Sequence, residues 1–239
     1  MTQLLYQTDS YLKEFSASVT ATEAAARAIV LDRTAFYPGG GGQPCDRGSL
    51  TIDSATYSVA VVGKQGEEVL HVLGGEDGLP QVGAPVRGNL DWDRRYNLMR
   101  THTAMHILCG VVFRDYGALV TGGKMDPLEG RMDFEFETMG GELVASIEDA
   151  ANEAVAAGLE VRAKVLPREE AFQIPDLIRT KINLLPEGIA QVRTVEIVGL
   201  DLQADGGTHV RNTAEVGPIK VVDYKSKGAI NKRIYIVLN

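Results

Sequence analysis

The sequence predicts an α+β protein, with a small β-barrel-like domain over residues 1–93 and an α+β domain over residues 94–239 whose helices pack on an antiparallel sheet. Three observations support this. Short β-branched segments punctuated by glycine and proline fill the first ninety or so positions, a long helix-periodic segment begins near Arg94, and the remainder mixes strands and a few helices without strict alternation. At 239 residues, 44% of them hydrophobic and 23% charged, the chain can bury one large or two ordinary cores and is too apolar for a disordered protein.

In the first part, FSASVTAT, ARAIVLD, GSLTI, YSVAVV and EEVLHVL carry the β-branched and apolar residues of strands. YPGGGGQP, LGGEDGLP and QVGAPVRG read as turns between them, so a small antiparallel barrel or sandwich fits. From Arg94 to about Tyr116 apolar residues recur at helical spacing, at Leu98, Met105, Leu108 and Val112. GRMDFEFE then alternates as a strand, and GELVASIEDAANEAVAAG has helical periodicity ended by a glycine. LEVRAKVL reads as a strand and PREEAFQI as a helix with proline at its first position. VRTVEIVGL, GPIKVVDYKSKG and KRIYIVL read as the last strands.

The start of the chain has no basic segment followed by an apolar run, and the longest uncharged apolar stretch, 101–113, is shorter than a bilayer span. A cytosolic protein is expected, without membrane association and with no obligate protein partner. Cys45 and Cys109 are too few for a disulfide framework and are expected as free thiols. The net charge of −8 argues against a generally basic nucleic-acid binder. From His209 onward, however, Arg211, Lys220, Lys225, Lys227, Lys232 and Arg233 face only Glu215 and Asp223. That segment suits either phosphate or a lysine-protected strand edge.

Only four histidines occur. His102 and His106, in HTAMH, lie one above the other on a helix, where they either pack or form half of a metal site. In DGGTH, Gly206 and Gly207 are expected to turn the chain so that Asp205 and His209 converge. The two motifs together offer three imidazoles and a carboxylate, a tetrahedral zinc set or a three-ligand set with water in the fourth position. His71, in EEVLHVL, is expected to be a partly buried strand residue.

HTAMH, followed about a hundred residues later by GGTHVRNT, resembles the HxxxH and CxxxH zinc motifs of the alanyl-tRNA synthetase editing domain and its free-standing relatives, the AlaX proteins. FYPGGGGQPCDRG and EVGPIKVVDYKSKGAINKRIYIVL match the same family in the right order, from about Phe36 onward. With the glycine-rich domain but no aminoacylation domain, the chain looks like a medium-length AlaX. The resemblance implies a Zn2+-dependent deacylase that hydrolyses the ester of mischarged tRNA-Ala, chiefly the seryl form. It implies His102, His106 and His209 as metal ligands, with Asp205, where the family's usual cysteine falls, as fourth ligand or outer partner. The resemblance also makes Gly39, Gly40, Gly41, Gly42 and Gln43 the loop that discriminates between amino acids; should that loop not select, Thr103 and Thr121, sought near the histidine helix, are the next candidates.

Read alone, that loop is a surface turn between strands, and a P-loop is disfavoured because the GK[ST] ending is absent. Lys225, Lys227, Lys232 and Arg233 are the candidates for the tRNA backbone, and no general base is assigned. Two other classes stay open: a non-catalytic tRNA-binding module with a weakened metal site, and an unrelated metallohydrolase of small esters or amides.

Overall fold

The period-two segments of the first ninety residues close into a barrel. In the computed structural model, which describes residues 1–75, 78–181, 185 and 188–239, the chain divides into two units, Met1–Tyr96 and Asn97–Asn239. The middle of the predicted LGGEDGLP turn, Glu76 and Asp77, lies outside the described residues. The first unit contains β1 (Gln3–Leu4), β2 (Glu14–Glu23), β3 (Ala28–Leu31), β4 (Arg33–Thr34), β5 (Gly48–Ile52), β6 (Ala55–Gln65), β7 (Glu68–Leu73) and β8 (Pro85–Leu90). β1 and β4 form a short parallel pair. The other six close antiparallel in the order β2-β3-β7-β6-β5-β8, around a core that includes Phe15, Ile29, Leu31, Phe36, Leu50 and Val59.

The closing strand was not legible. QVGAPVRG reads as a turn, yet Pro85–Leu90 is β8, paired to both β2 and β5. Pro85 is its first residue, where a missing N–H is tolerated. Gly88 passes beneath Phe15 so closely that a Cβ would lie 2.2 Å from the ring, so the punctuating glycine serves packing rather than turning.

His71 is fully buried on β7, not partly as the alternation suggests. Thr34 Oγ1 accepts the Phe36 N–H and lies 2.8 Å from His71 Nε2, so its hydroxyl proton is available to that nitrogen. Nδ1 then faces the Ile29 carbonyl at 3.4 Å, which fits a neutral ring. Burial pushes the His71 pKa down to about 4, against opposing hydrogen bonds from the ring to backbone. An unfolded histidine protonates near 6.5, so this residue's contribution to stability is whole above that pH and is lost as pH falls towards 4. The loss amounts to about 3 kcal/mol. His71→Gln is expected to flatten the fall in Tm between pH 6.5 and 4 relative to the parent; equal slopes in parallel thermal melts would refute this.

α1 (Trp92–Tyr116) starts where Asp91 Oδ1 accepts the Arg94 N–H at 3.1 Å. It stops at Gly117, at φ +64°, whose N–H returns to the Phe113 carbonyl at 2.9 Å. From Thr101 to Val112 every residue is buried, so this helix has no solvent face there, unlike the single stripe the spacing predicts. The second unit continues with β9 (Val120–Asp126), β10 (Glu129–Glu135), α2 (Gly141–Ala156), β11 (Val161–Pro167), α3 (Arg168–Ala171), β12 (Gln191–Ile197), β13 (Asp201–Ala204), β14 (Ile219–Ser226) and β15 (Asn231–Leu238).

These strands form two antiparallel sheets, β14-β15-β10-β9 and β11-β12-β13. Gly130 of β10 leaves the space in which Met105 of α1 packs; a Cβ there would lie 3.3 Å from its sulfur. α2 flanks β14: Asn152 both donates to and accepts from the Ile219 backbone, at 2.8 and 2.9 Å, and Glu148 accepts the Val221 N–H at 2.6 Å. PREEAFQI yields only the single turn α3, because Pro167 still belongs to β11 and serves as the helix N-cap. β9 and β13 escaped the sequence pattern; VTGGKMD has little β character and becomes a strand by pairing with β10.

Candidate functional site

α1 and the chain leaving β13 bring the two histidine motifs together. His102 and His106 are one turn apart and buried, and the β12–β13 hairpin delivers Asp205 and His209 beside them. Neither Gly206 nor Gly207 is at positive φ, so glycine freedom is not what makes the DGGTH turn. Instead the Asp205 carboxylate accepts the Gly207 N–H at 2.7 Å, and the Asp205 N–H is held by the Arg193 carbonyl at 3.0 Å.

One ligand atom from each of His102, His106, Asp205 and His209 lies within 4.8 Å of the others. The ring centroids of His102 and His209 are 4.2 Å apart, those of His106 and His209 4.6 Å, and those of His102 and His106 5.2 Å. Asp205 Oδ2 is 3.0 Å from His209 Nε2, and Oδ1 is 3.5 Å from His102 Nε2. The outward sides of the rings are occupied. His106 Nδ1 meets Asp201 Oδ2 at 3.1 Å, His209 Nδ1 meets Thr103 Oγ1 at 3.2 Å, and His102 bonds to the Thr208 backbone. Metal-binding histidines are held in this manner, one nitrogen anchored and the other presented.

The electrostatics suit a cation. Burial pushes the His102 pKa down to about 4, with His106 and Arg193 adding to the effect and Asp205 opposing it. Burial and the same neighbouring imidazoles hold His209 well below its usual value. Burial alone would raise the Asp205 carboxyl, but His102 and His209 hold it well below the usual carboxylate range. His106 is raised, because Asp201 and Asp205 outweigh burial. His102 and His209 are therefore held unprotonated beside an anionic carboxylate, and His106, paired through Nδ1 with Asp201, completes a buried donor set that can hold a metal ion.

Thr103 is fully buried; its hydroxyl accepts the Val210 N–H at 3.2 Å and faces His209, which ties it to the histidine cluster. Thr121 lies outside that cluster, exposed on β9, and donates to Asn231 at 2.9 Å. Gly39, Gly40, Gly41 and Gly42 all have positive φ, at 86°, 134°, 56° and 89°. Gly40 and Gln43 exchange backbone hydrogen bonds at 3.0 and 2.9 Å, Tyr37 Oη donates to Gly40, and Gln43 is buried. The loop is thus anchored at its base and free of side chains at its tip.

The four basic candidates differ. Lys225 is exposed and pairs with Asp223 at 2.8 Å, and Lys227 is exposed. Lys232 is buried, its ammonium donating to the Gly228 and Ala229 carbonyls inside the hairpin turn. Arg233 makes a two-point pair with Asp133, at 2.6 and 2.7 Å. Cys45 and Cys109 are free thiols, and burial pushes the Cys109 thiol up, as befits a packing residue. Sequence reasoning missed Asp201 and Arg193. Period two in DLQAD places Asp201, Gln203 and Asp205 on one side of an extended chain, a signal that was available.

Residues 6–94 match the family described as tRNA synthetases class II (A), and residues 192–235 match the threonyl and alanyl tRNA synthetase second additional domain. The second match contains Arg193, Asp201, Asp205 and His209. The alanyl-tRNA editing protein AlaX-M of Saccharolobus solfataricus is 41% identical over 237 residues, 98% of each chain. Its counterpart in Methanosarcina mazei is 41% identical over 246 residues, 100% of this chain and 97% of the relative. The alanine–tRNA ligase of Pyrobaculum neutrophilum is 39% identical over 230 residues, 92% of this chain but 25% of the ligase. No described helix is long and apolar enough to cross a membrane. With identity at this level along nearly the full length of free-standing relatives, the chain belongs to the AlaX-M family of alanyl-tRNA editing proteins.

Proposed function

We propose that this protein is a trans-editing deacylase that hydrolyses mischarged tRNA-Ala in the cytoplasm, chiefly Ser-tRNA-Ala. One zinc ion is held by His102, His106, His209 and Asp205. The observation that carries the reading is the buried four-donor cluster with its imidazoles anchored from outside. Retention of all three histidines speaks against a non-catalytic tRNA-binding module with a weakened metal site. When bound, the ion supplies a Lewis acid for the ester carbonyl or an acidified water. Asp205 contributes the negative charge that offsets the cation, and Arg193, 3.0 Å from the Asp205 carbonyl, fixes the turn that presents it.

Serine exceeds alanine by one hydroxyl, and a site that hydrogen-bonds a hydroxyl rejects the residue lacking it far better than an apolar pocket rejects the extra group. The loop Gly39–Gln43 is the proposed selector, and the exposed Lys225 and Lys227 are the proposed contacts to the tRNA backbone. Purified protein should deacylate Ser-tRNA-Ala at least about 10²-fold faster than Ala-tRNA-Ala, with one zinc per chain in the same sample. Equal rates, or none on either, would refute it. A Cβ would touch only the Tyr37 hydroxyl, 3.5 Å away, at Gly40 and nothing within 4 Å at Gly41, but both positions are at positive φ, so Gly40→Ala with Gly41→Ala strains the turn and should change the seryl-to-alanyl ratio at constant zinc content. Lys225→Glu with Lys227→Glu should raise KM and weaken its salt dependence.

A further inference from the structure

We propose that Asp201, outside the four-donor set, is a positioning residue that fixes His106 in the tautomer presenting Nε2 to the ion. The inference rests on the zinc reading above. Asp201 opens β13 with its carboxylate fully buried, and Oδ2 receives His106 Nδ1 at 3.1 Å. Gln203 donates to the same oxygen at 2.7 Å, from two residues along the strand. Arg179 Nε approaches Oδ1 at 3.5 Å, and its guanidinium lies 3.7 Å over the ring of Phe113, which is on α1 with His106. The carboxylate is therefore clamped by two partners and has one remaining job, accepting the His106 Nδ1 proton.

The close approach has its own requirement. Gly110 is one turn beyond His106, and a Cβ there would lie 2.9 Å from Leu200 Cγ, 3.0 Å from Asp201 Cβ and 3.1 Å from the Leu200 carbonyl. No side chain fits between α1 and the β12–β13 turn. The absent side chain at 110 and the buried carboxylate at 201 are two parts of one arrangement: the first admits the hairpin, and the second uses the proximity to orient an imidazole.

A buried carboxylate could serve stability alone, so the test needs a readout that stability does not move. Zinc dissociation constants would be measured by competition with a chromophoric chelator, and the tautomer of His106 by ¹⁵N NMR of histidine-labelled protein. Asp201→Ala should weaken zinc binding about 10- to 100-fold and release His106 from the Nδ1–H tautomer. Asp201→Asn keeps an acceptor oxygen and should fall between. Gly110→Ala removes no polar group but pushes the hairpin, and Asp201 with it, away from α1, and should weaken zinc as well. If Asp201→Ala binds zinc as the parent does and keeps the Nδ1–H tautomer while only Tm falls, the carboxylate is structural and the inference is overturned. A parent protein that takes up no zinc overturns the zinc reading itself, and this inference with it.

Discussion

On the proposed function, His102→Ala is expected to abolish stoichiometric zinc and to slow deacylation of mischarged tRNA-Ala by about 10³-fold, since the several kcal/mol that a bound metal ion supplies, at 1.4 kcal/mol per decade, is about that factor. The imidazole it removes is one of three buried donors, 4.2 Å from the His209 ring and 5.2 Å from that of His106. Asp205→Cys should behave in the opposite way. Thiolate is a softer zinc ligand than carboxylate, so zinc affinity should be kept or strengthened. The pair of variants separates loss of a donor from exchange of one. Elemental analysis and single-turnover deacylation on the same preparations check both, and His102→Ala with full zinc and full rate would end the argument.

Asp46→Ala should destabilise the first unit by about 3–5 kcal/mol, the cost of breaking a buried ion pair from one side. Arg95 and Asp46 are almost wholly buried, and the guanidinium contacts both carboxylate oxygens, with Nε 3.0 Å from each. Arg95 also donates to the Ser10 and Ala35 carbonyls, but neither carries the charge that Asp46 neutralises. The lost carboxylate also accepts the Tyr37 N–H at 2.6 Å, at the foot of the glycine loop. Arg95→Met combined with Asp46→Leu should recover only part of the loss: no buried charge then remains, but the Tyr37 N–H and the Ser10 and Ala35 carbonyls lose their partners. Urea unfolding gives the comparison; a single-variant loss under about 1 kcal/mol would show that water reaches the pair.

Most of the fold was legible where apolar residues kept a period of their own. FSASVTAT, EEVLHVL and KRIYIVL are strands, and the segment after Arg94 is a helix, because side-chain alternation and helical spacing are local properties. β8 and β9 were not legible. Their glycines and Pro85 are placed by neighbours distant in sequence, Phe15 over Gly88 and Met105 against Gly123. The metal candidates were legible from two motifs because spacing on a helix and across a short turn is also local. Their supports were not: Asp201 reaches His106 only through the packing of a hairpin on α1, and Lys232 turns inward through a hairpin that the count of basic residues cannot show.

The barrel and the capping of β14 by α2 have a consequence for self-association. A closed ring of strands offers no open row of N–H and C=O groups on which a strand from another molecule can align. In the second unit β14 is an edge, and there Asn152 and Glu148 occupy the Ile219 and Val221 backbone groups through which added pairing would begin. A register shift between Val221 and Asp223 breaks the regular spacing of what is left. Two α2 side chains thus guard the β14 edge of that sheet against pairing with another molecule.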